Sequence, residues 1–345
     1  MVDTMALLRA LFRLARKASS PLRLAAPPAG DEVFLDAPDD RLAPALVAAG
    51  RGDHGPAAEL LSGVRAAAEW ENRDRYVLRL AAFARSRAEW LDRWSAADPH
   101  DPDVLLVTAQ LAVDRAWGSP ARAELLRELN PLITAAARAD GLDPVPWRIA
   151  LDHARGSKAG HKYFEELWEA AIRRAPHHYG CHVAALRYLA ASWHGSHHAC
   201  FDFADLAAQD SPADSLIQAL PARAALGYLT DGCGPEVPRD RLDAAADRAI
   251  ALSARFPAAD PCPAAIRNKL MYVLVRLERW EDARTQLRLI GPYATSFPWD
   301  RDSDDPLGHF LRVREALTTG APGAPVPAPR RPRTEHGGHV RAGDH

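Results

Sequence analysis

"LMYVLVRLERWEDARTQLRLIGP", Leu270 to Pro292, decides the fold class. Leu270 and Leu274 stand one helical turn apart, and Trp280, Ala283 and Leu287 resume the spacing after a break near Arg279. A helix returns to the same face every three to four residues, so each run is one amphipathic helix. Two such helices with almost nothing between them must fold back on each other as an antiparallel hairpin. A small residue such as Ala283 lets the two backbones approach, and an aromatic such as Trp280 fills the gap beside it.

The same grammar runs outward through the chain. Ala, Leu, Arg and Glu, all strong helix formers, dominate, and prolines sit mostly at segment starts, where a helix tolerates them. The periodicity predicts helices over 5–17, 40–49, 56–68, 72–95 with a break, 102–117, 120–139, 144–154, 161–175, 178–193, 197–209, 213–229, 238–255, 263–278, 280–290 and 305–318. "DEVFLDA" (31–37) is the sole strand candidate. "ADPHDPDVLLVTAQLAVDRAWGS" (97–119) and "RAPHHYGCHVAALRYLAASWHGS" (174–196) share a pattern: an opening Pro, a small-residue helix, then Trp, Gly and Ser. "LDPVPWRIALDHARGS" (142–157) is a shorter version. Such self-similarity marks a helical-repeat array. The expected fold is therefore all-α, a superhelical stack of antiparallel helical hairpins. The large-large-aromatic-small-large order of 270–292 resembles one tetratricopeptide unit. On that reading most of the nine tryptophans are hairpin packing.

Three phrases resemble a known group: "APHHYGCHVAALRYLAASWHGSH", "FDFADLAA" and "WLDRWSAADPHDPDVLLVTAQLAVDRAW". The chain is similar over roughly residues 40 to 300 to tetratricopeptide-like proteins common in actinobacteria. These carry a domain of unknown function with a W-x-G-S-H…F-x-F-A signature. Here the signature is Trp193, Gly195, Ser196, His197, Phe201, Phe203 and Ala204. The resemblance implies the architecture and brings no reaction. Members often carry acidic residues after the Gly-Ser-His, where this chain has His198 and Ala199.

The bulk numbers exclude several classes. Over 345 residues, 43 basic and 45 acidic side chains leave a formal charge of −2, so the basic excess of a nucleic-acid surface is lacking. Cys181, Cys200, Cys233 and Cys262 form no C-x-x-C pair and read as reduced thiols in a cytoplasmic protein. No apolar run is long enough to span a bilayer. Residues 1–20 carry a basic amphipathic helix: Leu7, Leu8, Leu11, Leu14 and Ala15 face Arg9, Arg13, Arg16 and Lys17. Arg9 and Arg13 interrupt what would be a signal peptide's core. Docking on the protein, disorder, or contact of residues 5–17 with an anionic membrane surface all fit this helix. Residues 21–39 read as a linker and 40–319 as the helical-repeat domain. The Pro/Gly/Arg-rich residues 320–345 read as a disordered tail, open to trypsin at Arg330, Arg331 or Arg333.

Residues 177–200 concentrate the candidate chemistry, with six of the fourteen histidines. On one continuous helix His182 and His194 would stand roughly 18 Å apart, so the histidines form two groups. In the first, His178 and His182 are four apart beside Cys181, and a third metal ligand is missing. The second is His194, His197, His198 and Cys200. Metal ligation by these four, or catalysis by His197 and His198 with Asp202 orienting His198, competes with a plain interhelical turn. In the turn reading Gly195 takes positive φ as the left-handed helix terminator and Ser196 caps the next helix. Trp193, His194, Gly195, Ser196 and His197 are the candidate binding residues. "DRDSDD" (300–305) imitates a calcium loop but has Asp305 where Gly belongs and Leu311 where Glu belongs. "GSKAGHK" (156–162) lacks phosphate-loop spacing. No motif implies a cofactor. The leading expectation is a cytoplasmic scaffold binding a protein or peptide, not nucleic acid. The alternatives are a small helical enzyme or metal binder, and a peripheral membrane adaptor using residues 5–17.

Overall fold

The computed structural model describes residues 32–231 and 234–319. The expected N-terminal helix 5–17 and the tail 320–345 lie outside them. Helices dominate the described residues: α1 (Ala43–Ala49), α2 (Gly55–Ala66), α3 (Trp70–Ser86), α4 (Glu89–Ala97), α5 (Pro102–Trp117), α6 (Arg122–Glu128), α7 (Asn130–Ala139), α8 (Val145–Ser157), α9 (His161–Arg174), α10 (Tyr179–Tyr188), α11 (His197–Asp210), α12 (Leu220–Asp231), α13 (Arg239–Ser253), α14 (Ala264–Arg276), α15 (Trp280–Ile290), the short α16 (Ser296–Trp299) and α17 (Pro306–Thr319).

Four expected helices end or divide elsewhere, each for a local reason. The 72–95 segment breaks at Arg87, whose φ of −141° is not helical. The 120–139 segment divides at Leu129, because Pro131 can only open a new helix. The 213–229 segment starts as a 3-10 turn at Leu216–Ala219. The 178–193 segment stops at Tyr188, and the chain turns back so that the His194 N–H donates to the Tyr188 carbonyl at 3.2 Å.

Neighbouring helices pack on each other, with α14 on α15, α1 on α2, α2 on α3 and α11 on α12. Helices two apart also pack, as α3 with α5, α8 with α10 and α12 with α14. In the 270–292 hairpin, Leu270, Leu274 and Ala283 are buried and Glu278 makes the turn at φ 58°. Trp280, expected to fill the hairpin gap, is 37% exposed. The repeat-related tryptophans behave differently. Trp117 and Trp193, equivalent in the two repeat copies, meet edge to face at 5.5 Å. Arg155 and Arg122 sit over both rings at 4.3–5.3 Å. Gly156 makes room for this group, since a Cβ there would lie 2.7 Å from Trp117 and 2.3 Å from Leu126. "GSKAGHK" is thus a helix terminus, with Lys158 left-handed at φ 60°.

One contact joins positions far apart in the chain, which the expected stack, with each repeat touching only its neighbours, does not foresee. Phe34–Leu35, within the expected strand, pairs in parallel with Tyr293–Ala294. Asp36 then accepts from the Ser296 N–H at 3.1 Å and hydroxyl at 2.6 Å, 260 positions along the chain.

Buried charge joins the inner helices. Arg73, fully buried in α3, bonds Asp103 at 2.7 Å and Asp143 at 2.6 Å. Arg148 of α8 bonds Asp74 at 2.5 Å and Gln110 at 2.5 Å. Arg267, also fully buried, donates to the carbonyls of Ser253, Phe256, Pro257 and Leu289 at 2.8–2.9 Å. Most of their donors are met, as a core requires, with Arg73 Nη2 the exception.

Candidate functional site

The turn between α10 and α11 is built by close approach. Ser196 caps α11 as expected, its hydroxyl accepting from the Ala199 N–H at 3.1 Å. Gly195 is required for a different reason than expected, because it is not among the positive-φ glycines, which are Gly52, Gly234 and Gly291. A Cβ at Gly195 would stand 2.3 Å from the Leu189 carbonyl oxygen. The helix stops at Tyr188, five residues before its expected end at 193, so the glycine serves a contact and not a left-handed cap.

The residues of the second histidine group face different neighbours. The His194 ring stacks on Tyr188 at 4.4 Å, so its distance from His182 does not follow one helix axis. His197 is buried with its ring edge-on to Tyr228 at 5.1 Å, while His198 is exposed. Cys200 donates its thiol to the Leu186 carbonyl at 3.5 Å. Burial, with the nearby Asp231 charge, pushes that thiol up to about 12. Asp202, expected to orient His198, pairs with Arg241 at 2.6 Å. Among the described residues no group of three or more His, Cys, Asp or Glu side chains is placed to hold a metal ion. "DRDSDD" opens α17 instead: Asp305 accepts from the Gly308 N–H at 2.8 Å, and Asp302 takes the Tyr272 hydroxyl at 2.5 Å.

The first histidine group sits elsewhere. His178 caps α10, with Nδ1 accepting from the Cys181 N–H at 3.3 Å and lying 3.1 Å from its sulfur. On the other side His178 Nε2 is 3.8 Å from Asp74. Thiol, imidazole and carboxylate thus stand in the order of a nucleophile, its base and an orienting group, but the carboxylate is too far to hydrogen-bond the ring and His178 Nε2 has no partner among the described residues. The sequence did not signal Asp74, because only packing of α3 against α10 brings it there. The arrangement is closed to chemistry, since Cys181 is fully buried and burial, then the Asp74 charge, holds its thiol well above the usual range. His182 packs against Trp168 at 4.9 Å and Phe203 at 6.0 Å. Burial lowers it to about 4, and its Nδ1 donates to the His178 carbonyl at 2.9 Å.

An open cavity of about 460 Å³ adjoins the α10–α11 turn. Trp193, His197 and Cys200 reach it from the turn and α11, Arg155 from α8, Arg187 from α10, and Arg223, Gly227 and Asp231 from α12. Phe297 and the segment Asp300–Asp304 close the far side. The wall therefore carries Arg155, Arg187, Arg223 and Arg301 together with Asp231, Asp300, Asp302 and Asp304. Of the residues expected to bind, Trp193 and His197 line it, and His194, Gly195 and Ser196 do not. The arginines had no local signature, for arginine occurs on most of the described helices. The volume lies within the range of small-ligand and peptide-anchor sites, roughly 300–1,000 Å³.

No family model, curated protein or solved structure matches this chain.

Proposed function

We propose that this chain is a cytoplasmic helical-repeat scaffold, a tetratricopeptide-like stack of antiparallel hairpins that takes a segment of a partner protein into the Arg155–Asp304 cavity. The cavity itself carries the reading. It combines guanidinium groups, carboxylates and the rings of Trp193 and Phe297 in one opening. A peptide offers both signs of charge along with apolar side chains, and it matches such a wall better than a purely apolar or purely anionic ligand. The packing of each helix on its neighbours supports the stack, and the resemblance of the Trp193–Ala204 signature to tetratricopeptide-like proteins agrees with it. The reduced-thiol composition and the lack of any described helix long and apolar enough to cross a membrane accord with a cytoplasmic location.

Gly227 supplies the test. It lines the cavity, and a Cβ there would meet nothing within 4 Å. Gly227→Phe therefore places a ring in the opening and replaces no charged residue. Affinity capture from the native cell, with mass spectrometry, should return a partner with the wild-type chain and lose it with the plugged variant. Retention of every wild-type partner by folded Gly227→Phe would refute the proposal.

A further inference from the structure

Arg187 separates itself from the other charged groups of the cavity. It projects from the last turn of α10, and its side chain is 14% exposed. The carboxylate that faces it, Asp152, is 3.8 Å away, beyond hydrogen-bond reach. That carboxylate also faces Arg155 at 3.3 Å and Arg148 at 3.9 Å. Arg187 Nη2 is buried and has no hydrogen-bond partner among the described residues. A buried guanidinium donor left unpaired is costly, and proteins retain such groups where something else completes them. Turning Nη2 toward the opening breaks no hydrogen bond of its own. Arg155 and Arg223 stand in the same wall, and the partly desolvated surroundings strengthen the attraction of the Arg187 guanidinium for an anion arriving there.

We infer that Arg187 forms an oxyanion subsite in this cavity and that it takes a carboxylate of the bound peptide. This rests on the peptide reading above and names the group recognised. The planar fork of a guanidinium matches the two oxygens of a carboxylate, which a lysine ammonium cannot do. The lining of Trp193 and Phe297 then borders the residue that bears the carboxylate.

Thermal denaturation of the full chain, with sodium acetate or inorganic phosphate titrated against sodium chloride at matched ionic strength, reads the subsite directly. Acetate should raise the Tm of the wild type along a saturating curve. The apparent affinity should fall at least tenfold in Arg187→Lys, which keeps the charge and loses the fork, and the shift should vanish in Gly227→Phe, which fills the opening and keeps the arginine. An equal acetate response in wild type and Arg187→Lys overturns the subsite, as does a response that never saturates. A phosphate response without an acetate response overturns the carboxylate assignment. Short peptides then separate this inference from the scaffold reading. Tetra-alanine with a free C-terminus competing with acetate identifies a terminal carboxylate. Competition instead by an acetylated, amidated peptide containing one Glu identifies a side chain. If acetate binds and neither peptide competes, the peptide assignment falls and so does the peptide reading of the cavity, while the acetate response shows that the site itself is real.

Discussion

Replacing Gly195 by alanine tests the construction of the α10–α11 turn. The added Cβ would lie 2.3 Å from the Leu189 oxygen, 2.9 Å from its carbonyl carbon and 3.0 Å from its Cα, where ordinary contact begins at 3.4 Å. All three are backbone atoms, so no side chain can swing aside, and the turn must open by roughly 1 Å. Overpacking of this kind costs about 1–3 kcal/mol. Because Gly195 does not use positive φ, alanine also narrows the unfolded ensemble, which offsets about 0.4–1 kcal/mol. The net expectation is a loss of about 1–2 kcal/mol, or a Tm lower by about 2–4 °C for a domain of this size. Gly63, exposed inside α2, is the matched control, since a methyl group added there would meet nothing within 4 Å. Gly63→Ala should stabilise by about 0.5–1 kcal/mol through helix propensity alone. Urea denaturation followed by far-UV circular dichroism measures both. Equal effects of the two substitutions, or a Gly195→Ala protein as stable as the wild type, would refute the close-approach account.

Arg73→Met leaves Asp103 and Asp143 buried without their shared cation and should destabilise by about 3–5 kcal/mol in the same denaturation assay. Native protein treated with a thiol reagent at pH 8 should be labelled at exposed Cys262 well before Cys181 and Cys200. Both of those are buried, with their thiols held up by burial, so mass spectrometry should find them labelled only in denaturant. His182, lowered to about 4 in the fold from its ordinary value of 6.5, binds its proton more readily in the unfolded chain. Stability should therefore be full above pH 6.5 and fall between pH 6.5 and 4, by up to about 3 kcal/mol from this group. A His182→Phe protein should show a shallower acid limb, and an unchanged limb would exclude this histidine as its source.

Helix content was legible in the order of residues because it is local. Apolar spacing of three to four residues, prolines at helix starts and a Ser at an N-cap act through neighbours in sequence. Ser196 therefore caps α11 where its type and position say it should, and α14 and α15 fall within two residues of their expected limits. The same locality misled at Gly195, where the residue type said left-handed cap and the fold uses it for contact with Leu189. Everything joining distant positions was decided by packing. The Phe34–Leu35 pairing with Tyr293–Ala294, the approach of Asp74 to His178 and Cys181, the meeting of Trp117 with Trp193 and the gathering of Arg155, Arg187, Arg223 and Arg301 around one cavity all depend on how helices stack. An arginine on a helix carries the same local pattern whether it ends in solvent or in a shared opening. Only the tertiary arrangement fixes the distances and the loss of water that turn it into part of a site.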